Sequence, residues 1–156
     1  MLITYLAMST AQAHAFQAGA LDANGLPAER HVSDGDGILC RHCLQNVAAS
    51  EDYLILAFRP FPTLQPYAEA GPIFLHASQC QRAEDAHSAP SQLAKPESHL
   101  IKGCSRGDRI VYGTGAIVAS IELDDAAASI LERDDVTYVH VRSSLNNCYT
   151  CRIERA

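Results

Sequence analysis

Long apolar runs are missing from this chain of 156 residues. No stretch approaches the ~20 residues that a membrane-spanning helix needs, so a soluble, cytoplasmic protein is expected. Positive charge is also scarce: 12 Lys and Arg stand against 18 Asp and Glu, a formal charge of -6. That balance argues against a broad phosphate-neutralising surface, and neither nucleic acid nor membrane is expected as a partner. There is no GxSxG and no HExxH, and the GTG at Gly113 to Gly115 lacks the third glycine and the strand-to-helix setting of a phosphate fingerprint. No internal repeat is visible. The 47% hydrophobic and 19% charged residues are those of an ordinary globular chain, and the length suits a single domain over residues 1–156.

The N-terminus MLITYLAMSTAQAHA imitates a secretory signal, with an apolar stretch and an Ala13-His14-Ala15 end. It carries no Lys or Arg before the apolar part, and His14 sits inside the would-be cleavage site. The pattern reads instead as a strand from Leu2 to Leu6 and a helix from about Ser9 to Gly19. Ser9 or Thr10 is the N-cap, and Ala13, Phe16 and Ala20 form the buried stripe.

Residues 19–37 are rich in Gly, Asp and Asn and read as a connecting segment. YLILAFRPF (Tyr53 to Phe61) and PIFLHAS (Pro72 to Ser78) read as strands, the first stopped by Pro60 and Pro62. The polar residues 81–99, broken by Pro90 and Pro96, predict a mobile loop. RIVYGTGAIVASI (Arg109 to Ile121) predicts a strand, a bend at the glycines, then a further strand or a helix entry. ELDDAAASILERDD predicts a helix that buries Leu123, Ala127, Ile130 and Leu131, with Asp124 and Asp125 favouring its positive end. VTYVHVRS and CYTCRIER close the chain as two strands. The fold class expected is α+β: one domain, a mostly antiparallel sheet, two helices and a C-terminal β-hairpin.

Six cysteines remain to be explained, four of them in two tetrapeptides, CRHC (Cys40 to Cys43) and CYTC (Cys148 to Cys151). If thiols stay reduced, paired CxxC reads as metal or redox chemistry. In an extended strand, residues three apart point to opposite faces, so Cys148 and Cys151 do not share an ion there. Pairing Val139 with Cys151, Val141 with Tyr149 and Thr137 with Ile153 gathers the apolar residues on one face. Cys151 is then a core thiol, and Cys148 stands opposite Arg142 and one pair from His140. Cationic neighbours favour a thiolate, which makes Cys148, His140 and Arg142 a candidate catalytic group; a solvated charged face is the plainer alternative.

CRHC is different, because two thiolates three apart can share a tetrahedral ion where the chain turns. PIFLHASQC offers two more ligands, His76 and Cys80, so the candidate metal set is Cys40, Cys43, His76 and Cys80, with zinc as the ion. Unrelated thiols and a redox pair stay open beside it. His42 is placed wrongly in the knuckle to join that ion. Cys104, approached by Lys102 and Arg106, pairs with nothing in the sequence.

CRHCL, the LAFRPF strand, PYAEAGPIFLHA, YVHVR and the terminal NCYTCRIERA together resemble a bacterial family, domain of unknown function 1203. The resemblance extends from Leu2 to Ala156 and is weakest over residues 81–99. It implies that the N-terminal strand and helix belong to the domain, and it implies no activity. A role shared across the family falls more naturally on Cys148 and its neighbours than on the zinc ligands. Three functional readings follow. The first is a binding or interaction module for an unknown ligand or protein, braced by zinc. The second is a thiol-dependent enzyme or redox protein using Cys148. The third is a cleft enzyme acting through Arg59, Glu69, His140 and Arg152.

Overall fold

The computed structural model describes residues 1–156. Eight strands are formed: β1 (Ile3–Leu6), β2 (Glu29–Val32), β3 (Asp52–Phe58), β4 (Gly71–His76), β5 (Ser98–Cys104), β6 (Ala116–Ala119), β7 (Tyr138–Ser143) and β8 (Tyr149–Arg155). Two helices accompany them, α1 (Thr10–Gln17) and α2 (Leu123–Leu131). The strands make two antiparallel sheets, a large one in the order β1-β8-β7-β5-β6 and a small one in the order β2-β3-β4. This is the α+β architecture expected, with the C-terminal pair β7 and β8 near the middle of the large sheet.

Alternation along the strands builds two cores. On one side of the large sheet, α2 lays down Leu123, Ala127 and Leu131 against Val139, Val141, Cys151 and Ile153. Asp124 and Asp125 occupy its first turn, where the unpaired N–H groups favour negative charge. Strand β5 passes close to α2 at Gly103, where a Cβ atom would meet Ile130 Cγ2 and Thr114 Oγ1 at 2.9 Å, so only glycine fits. The second core lies against the small sheet, where Leu54, Leu56, Phe58, Ile73 and Leu75 meet Met8, Ala13, Cys40, Val47 and Tyr149.

The N-terminal segment is woven into the large sheet. β1 pairs with β8, and the Tyr5 hydroxyl donates to Asp124 of α2 at 2.6 Å. Ser9 caps α1 by accepting from the Gln12 N–H at 3.2 Å. The expected helical stripe is narrower than its pattern: Ala13 is buried and Phe16 half-buried, but α1 ends at Gln17 and Ala20 is exposed.

Two strands were not legible. Every residue of β2 is exposed, so it shows no apolar period. In β5 the inward positions include His99 and Gly103, which break the apolar alternation. Residues 81–99 touch both β1 and α2. Tyr5 N–H donates to Ala86 at 2.8 Å, Leu93 is buried in the α2 core, and Ala89 N–H donates to Asp124 at 3.0 Å.

The hairpin register needs correction. Val139 faces Ile153 and Val141 faces Cys151, two residues from the expected pairing. A shift of two keeps every side chain on its face, so Cys151 is a core thiol as expected. Beyond Val141 a bulge intervenes. Arg142 faces Tyr149, and Thr150 is the extra residue. The bulge turns Tyr149 onto the His140 side of the sheet, where the two ring centroids lie 4.9 Å apart. Cys148 therefore does not stand opposite Arg142. It precedes the strand, and its carbonyl accepts from Ser143 N–H at 2.9 Å.

Candidate metal centre

Residues 38–47 fold back on themselves between the two sheets. Cys40 N–H donates to Gln45, Leu44 N–H to Cys40, and Val47 N–H to Ile38, at 2.8–3.0 Å. The turn requires a left-handed residue after the second cysteine, and Leu44 adopts it with φ 53°. Such a conformation costs a non-glycine residue about 1–2 kcal/mol. Burying the leucine side chain, which is 2% exposed, offsets that by roughly 2 kcal/mol. Cys40 also bridges Phe74 in parallel, so the turn is hung on the outer edge of β4.

That bridge brings the end of β4 to the turn. Cys40, Cys43, His76 and Cys80 each direct one ligand atom into a cluster in which all four atoms lie within 4.8 Å of one another. Cys40 Sγ is 3.9 Å from Cys80 Sγ, and Cys43 Sγ is 3.5 Å from His76 Nδ1. A tetrahedral zinc with bonds of about 2.3 Å to sulfur and about 2.0 Å to nitrogen has edges near 3.8 Å and 3.5 Å. The residues present fit such an ion, and they are the four that the CxxC and HxxxC spacings marked.

The surroundings are those of a thiolate site. His76 N–H points at Cys40 Sγ at 3.4 Å, and Glu51 reaches the far nitrogen of His76 at 3.7 Å. His42 stays out of the cluster but touches it, with Nδ1 3.1 Å from Cys80 Sγ and Nε2 3.0 Å from the Thr10 hydroxyl. Burial holds the His42 imidazole below its ordinary pKa, hence neutral. Were Cys80 bound to a metal as a thiolate, its sulfur could only accept, which would set Nδ1–H donating to sulfur and Nε2 accepting from Thr10. Of the three clustered thiols, Cys40 is the one held below the ordinary thiol value. A hydrogen bond from the Cys43 thiol, then the N–H groups of Cys43, His76 and His42, hold it down at about 4 despite burial. The same hydrogen bond, with burial, pushes Cys43 up, and burial raises Cys80 to about 11.

The other candidate residues part company. His140 faces a cleft of 510 Å³ on the small-sheet side, together with Arg59 and Arg152. Cys148 lines a different cleft of 400 Å³, together with Arg41, His99 and Thr150. The bulge at Thr150 is the cause, and the proposed group of Cys148, His140 and Arg142 is not assembled. Glu69 pairs with Arg142 at 3.0 Å and Lys102 at 3.6 Å and does not line the His140 cleft. Two residues escaped the sequence reading. Arg41 is buried and lies over the Phe74 ring at 5.8 Å, and Arg82 lines the His140 cleft. The position of Arg82 two residues beyond Cys80 was the available signal.

A family model described as "Protein of unknown function (DUF1203)" matches residues 37–155. The chain belongs to this family. The matched region opens just before the Cys40 turn and contains all four clustered ligands, whereas β1, α1 and β2 lie before it. The pairing of β1 with β8 nevertheless builds that earlier segment into the DUF1203 fold. No curated protein and no solved structure matches the chain. No helix is long and apolar enough to cross a membrane.

Proposed function

We propose that this DUF1203 protein is a binding module whose recognition surface is braced by a structural zinc ion held by Cys40, Cys43, His76 and Cys80. The observation that carries the reading is the closure of the cluster: three sulfurs and one imidazole nitrogen within 4.8 Å of one another. Soft thiolates with an imidazole favour zinc over magnesium or calcium. Four protein ligands leave no position for a reactive water, which is the arrangement of a structural site.

The ligands come from three stretches that have little regular structure of their own: the turn, the end of β4, and the loop after it. An ion there replaces the small amount of core that these stretches can build. It also fixes what is attached. Arg41, next to Cys40, lines one cleft, and Arg82, two residues from Cys80, lines the other. The metal thus supports recognition without touching the ligand, which is a small molecule or a protein partner.

Metal analysis of protein purified without added zinc tests the proposal. About one zinc per chain is expected, reduced by Cys43→Ser and by Cys80→Ser. Zinc below about a tenth of an equivalent per chain would overturn it.

A further inference from the structure

The cleft that receives His140 has a composition at odds with the rest of this acidic protein. Three guanidinium groups line it, from Arg59, Arg82 and Arg152, against a single carboxylate, Glu154. Arg152 is already held in place, stacked 3.7 Å over the Tyr138 ring and paired with Glu154 at 2.5 Å. Arg82 is braced by Asp85 at 2.8 Å. Arg59 forms no ion pair; its Nε donates to the Ala68 carbonyl at 3.1 Å. At the bottom lies His140, 1% exposed, with Nε2 lacking any hydrogen-bond partner. That nitrogen is sealed from the cleft, so the free donors there are those of the arginines, and Arg59 alone of the three has no carboxylate partner. Phe58 and Phe61 supply an apolar wall beside the charges.

We propose that this cleft binds a small organic anion, with a carboxylate or phosphate head on Arg59, flanked by Arg82 and Arg152, and an apolar body against Phe58 and Phe61. The inference rests on the binding-module half of the proposed function and is independent of the metal. Several observations agree with it. Guanidinium forks bind planar or tetrahedral oxyanions through paired N–H groups, and a low-dielectric wall strengthens each contact. Burial first, then the positive charges of Arg142, Arg152 and Lys102, hold the His140 imidazole well below its ordinary pKa and so neutral. A neutral ring adds no further positive charge to repel the arginines that line the cleft. A cleft of 510 Å³ suits a ligand of metabolite size.

The test is titration of the full chain with phenyl phosphate, benzoate, inorganic phosphate and uncharged benzamide, followed by calorimetry and by the side-chain NMR signals of arginine and histidine. Zinc is assayed in the same sample. Saturable binding of phenyl phosphate or benzoate at millimolar or lower concentration is expected, with shifts at His140 and with benzamide at least tenfold weaker. The two anions distinguish a phosphate from a carboxylate head, and inorganic phosphate reports the head alone. Arg59→Met should weaken binding about tenfold while leaving zinc content unchanged; Arg59→Lys, which keeps the charge and loses the fork, should fall between. Benzamide binding as tightly as benzoate and phenyl phosphate, Arg59→Met binding as tightly as the parent, or the absence of saturable anion binding would each overturn the inference. Loss of zinc with anion binding intact would instead count against the metal.

Discussion

His42 Nδ1 lies 3.1 Å from the sulfur of Cys80, while its other nitrogen lies 3.0 Å from the Thr10 hydroxyl. Through this ring, and through Gln17, whose side-chain amide donates to the His76 carbonyl at 2.9 Å, the helix α1 is linked to the candidate metal cluster, although it contributes none of the clustered residues.

Outer contacts of this kind orient a ligand and stabilise its thiolate, and removing them typically lowers metal affinity by about 10–100-fold. His42→Phe should therefore weaken zinc binding by that factor, read by competition with a chromogenic chelator. It should not abolish binding, as loss of a direct ligand does. Unchanged affinity would show that the His42 contact with Cys80 is incidental.

Chelation should loosen the molecule unevenly. Amides in residues 38–51 and 76–83 should lose hydrogen-exchange protection when zinc is removed, because their turns lean on the ion. Amides of α2, β7 and β8 should keep theirs, since their core of Leu123, Leu131, Val139 and Ile153 does not involve the cluster. Uniform loss of protection would mean that the two cores unfold as one.

The thiols should divide by burial. Desolvation raises the Cys151 thiol to about 12, and burial raises Cys104 too. Neither should react with iodoacetamide in the folded state at neutral pH, because the thiolate is the nucleophile. Cys148 is half-buried on a cleft wall and should label faster than either. Mass spectrometry of the zinc-loaded protein gives the order directly.

His140 should make stability depend on pH. Burial first, then the positive charges of Arg142, Arg152 and Lys102, holds its imidazole well below the ordinary 6.5. An unfolded chain takes up this proton as the pH falls through about 6.5, and the folded chain resists it. Stability present above that pH is thus lost as the pH falls towards the folded value, by at most about 1.4 kcal/mol per pH unit. His140→Gln should show a shallower decline between about pH 6.5 and 5 in urea unfolding than the parent. Comparing the two proteins removes the acid sensitivity of the zinc ligands, which both share.

Tyr5→Phe tests how firmly the segment before the family match is held. It removes the hydroxyl that donates to Asp124 at 2.6 Å, and a hydrogen bond to a charged group contributes about 1.5–3 kcal/mol. A loss of that size in urea unfolding is expected; a change under about 0.5 kcal/mol would make β1 a dispensable edge.

Much of this molecule was written into short stretches of sequence. Helix α2 was legible because Leu123, Ala127 and Leu131 recur at the helical period, and β3 and β4 because they are apolar runs ended by proline or polar residues. The metal cluster was legible for the same reason. Cys40 and Cys43 are joined by one turn, and His76 and Cys80 by one strand end, so spacing alone restricts where each pair can point. Strand β2 was hidden because it buries nothing, and β5 because His99 and Gly103 occupy its inward positions.

Other features needed the chain to be packed. A single extra residue at Thr150 moved Tyr149 to the opposite face and separated Cys148 from His140, an effect that side-chain alternation cannot foresee. The meeting of Arg59, Arg82, His140 and Arg152 joins three distant segments, and nothing local requires it. What a residue's immediate neighbours constrain, the backbone geometry of a few positions reveals. Which remote side chains share a cleft depends on how two sheets and their cores settle against each other, and that follows from the total burial they achieve rather than from any one stretch.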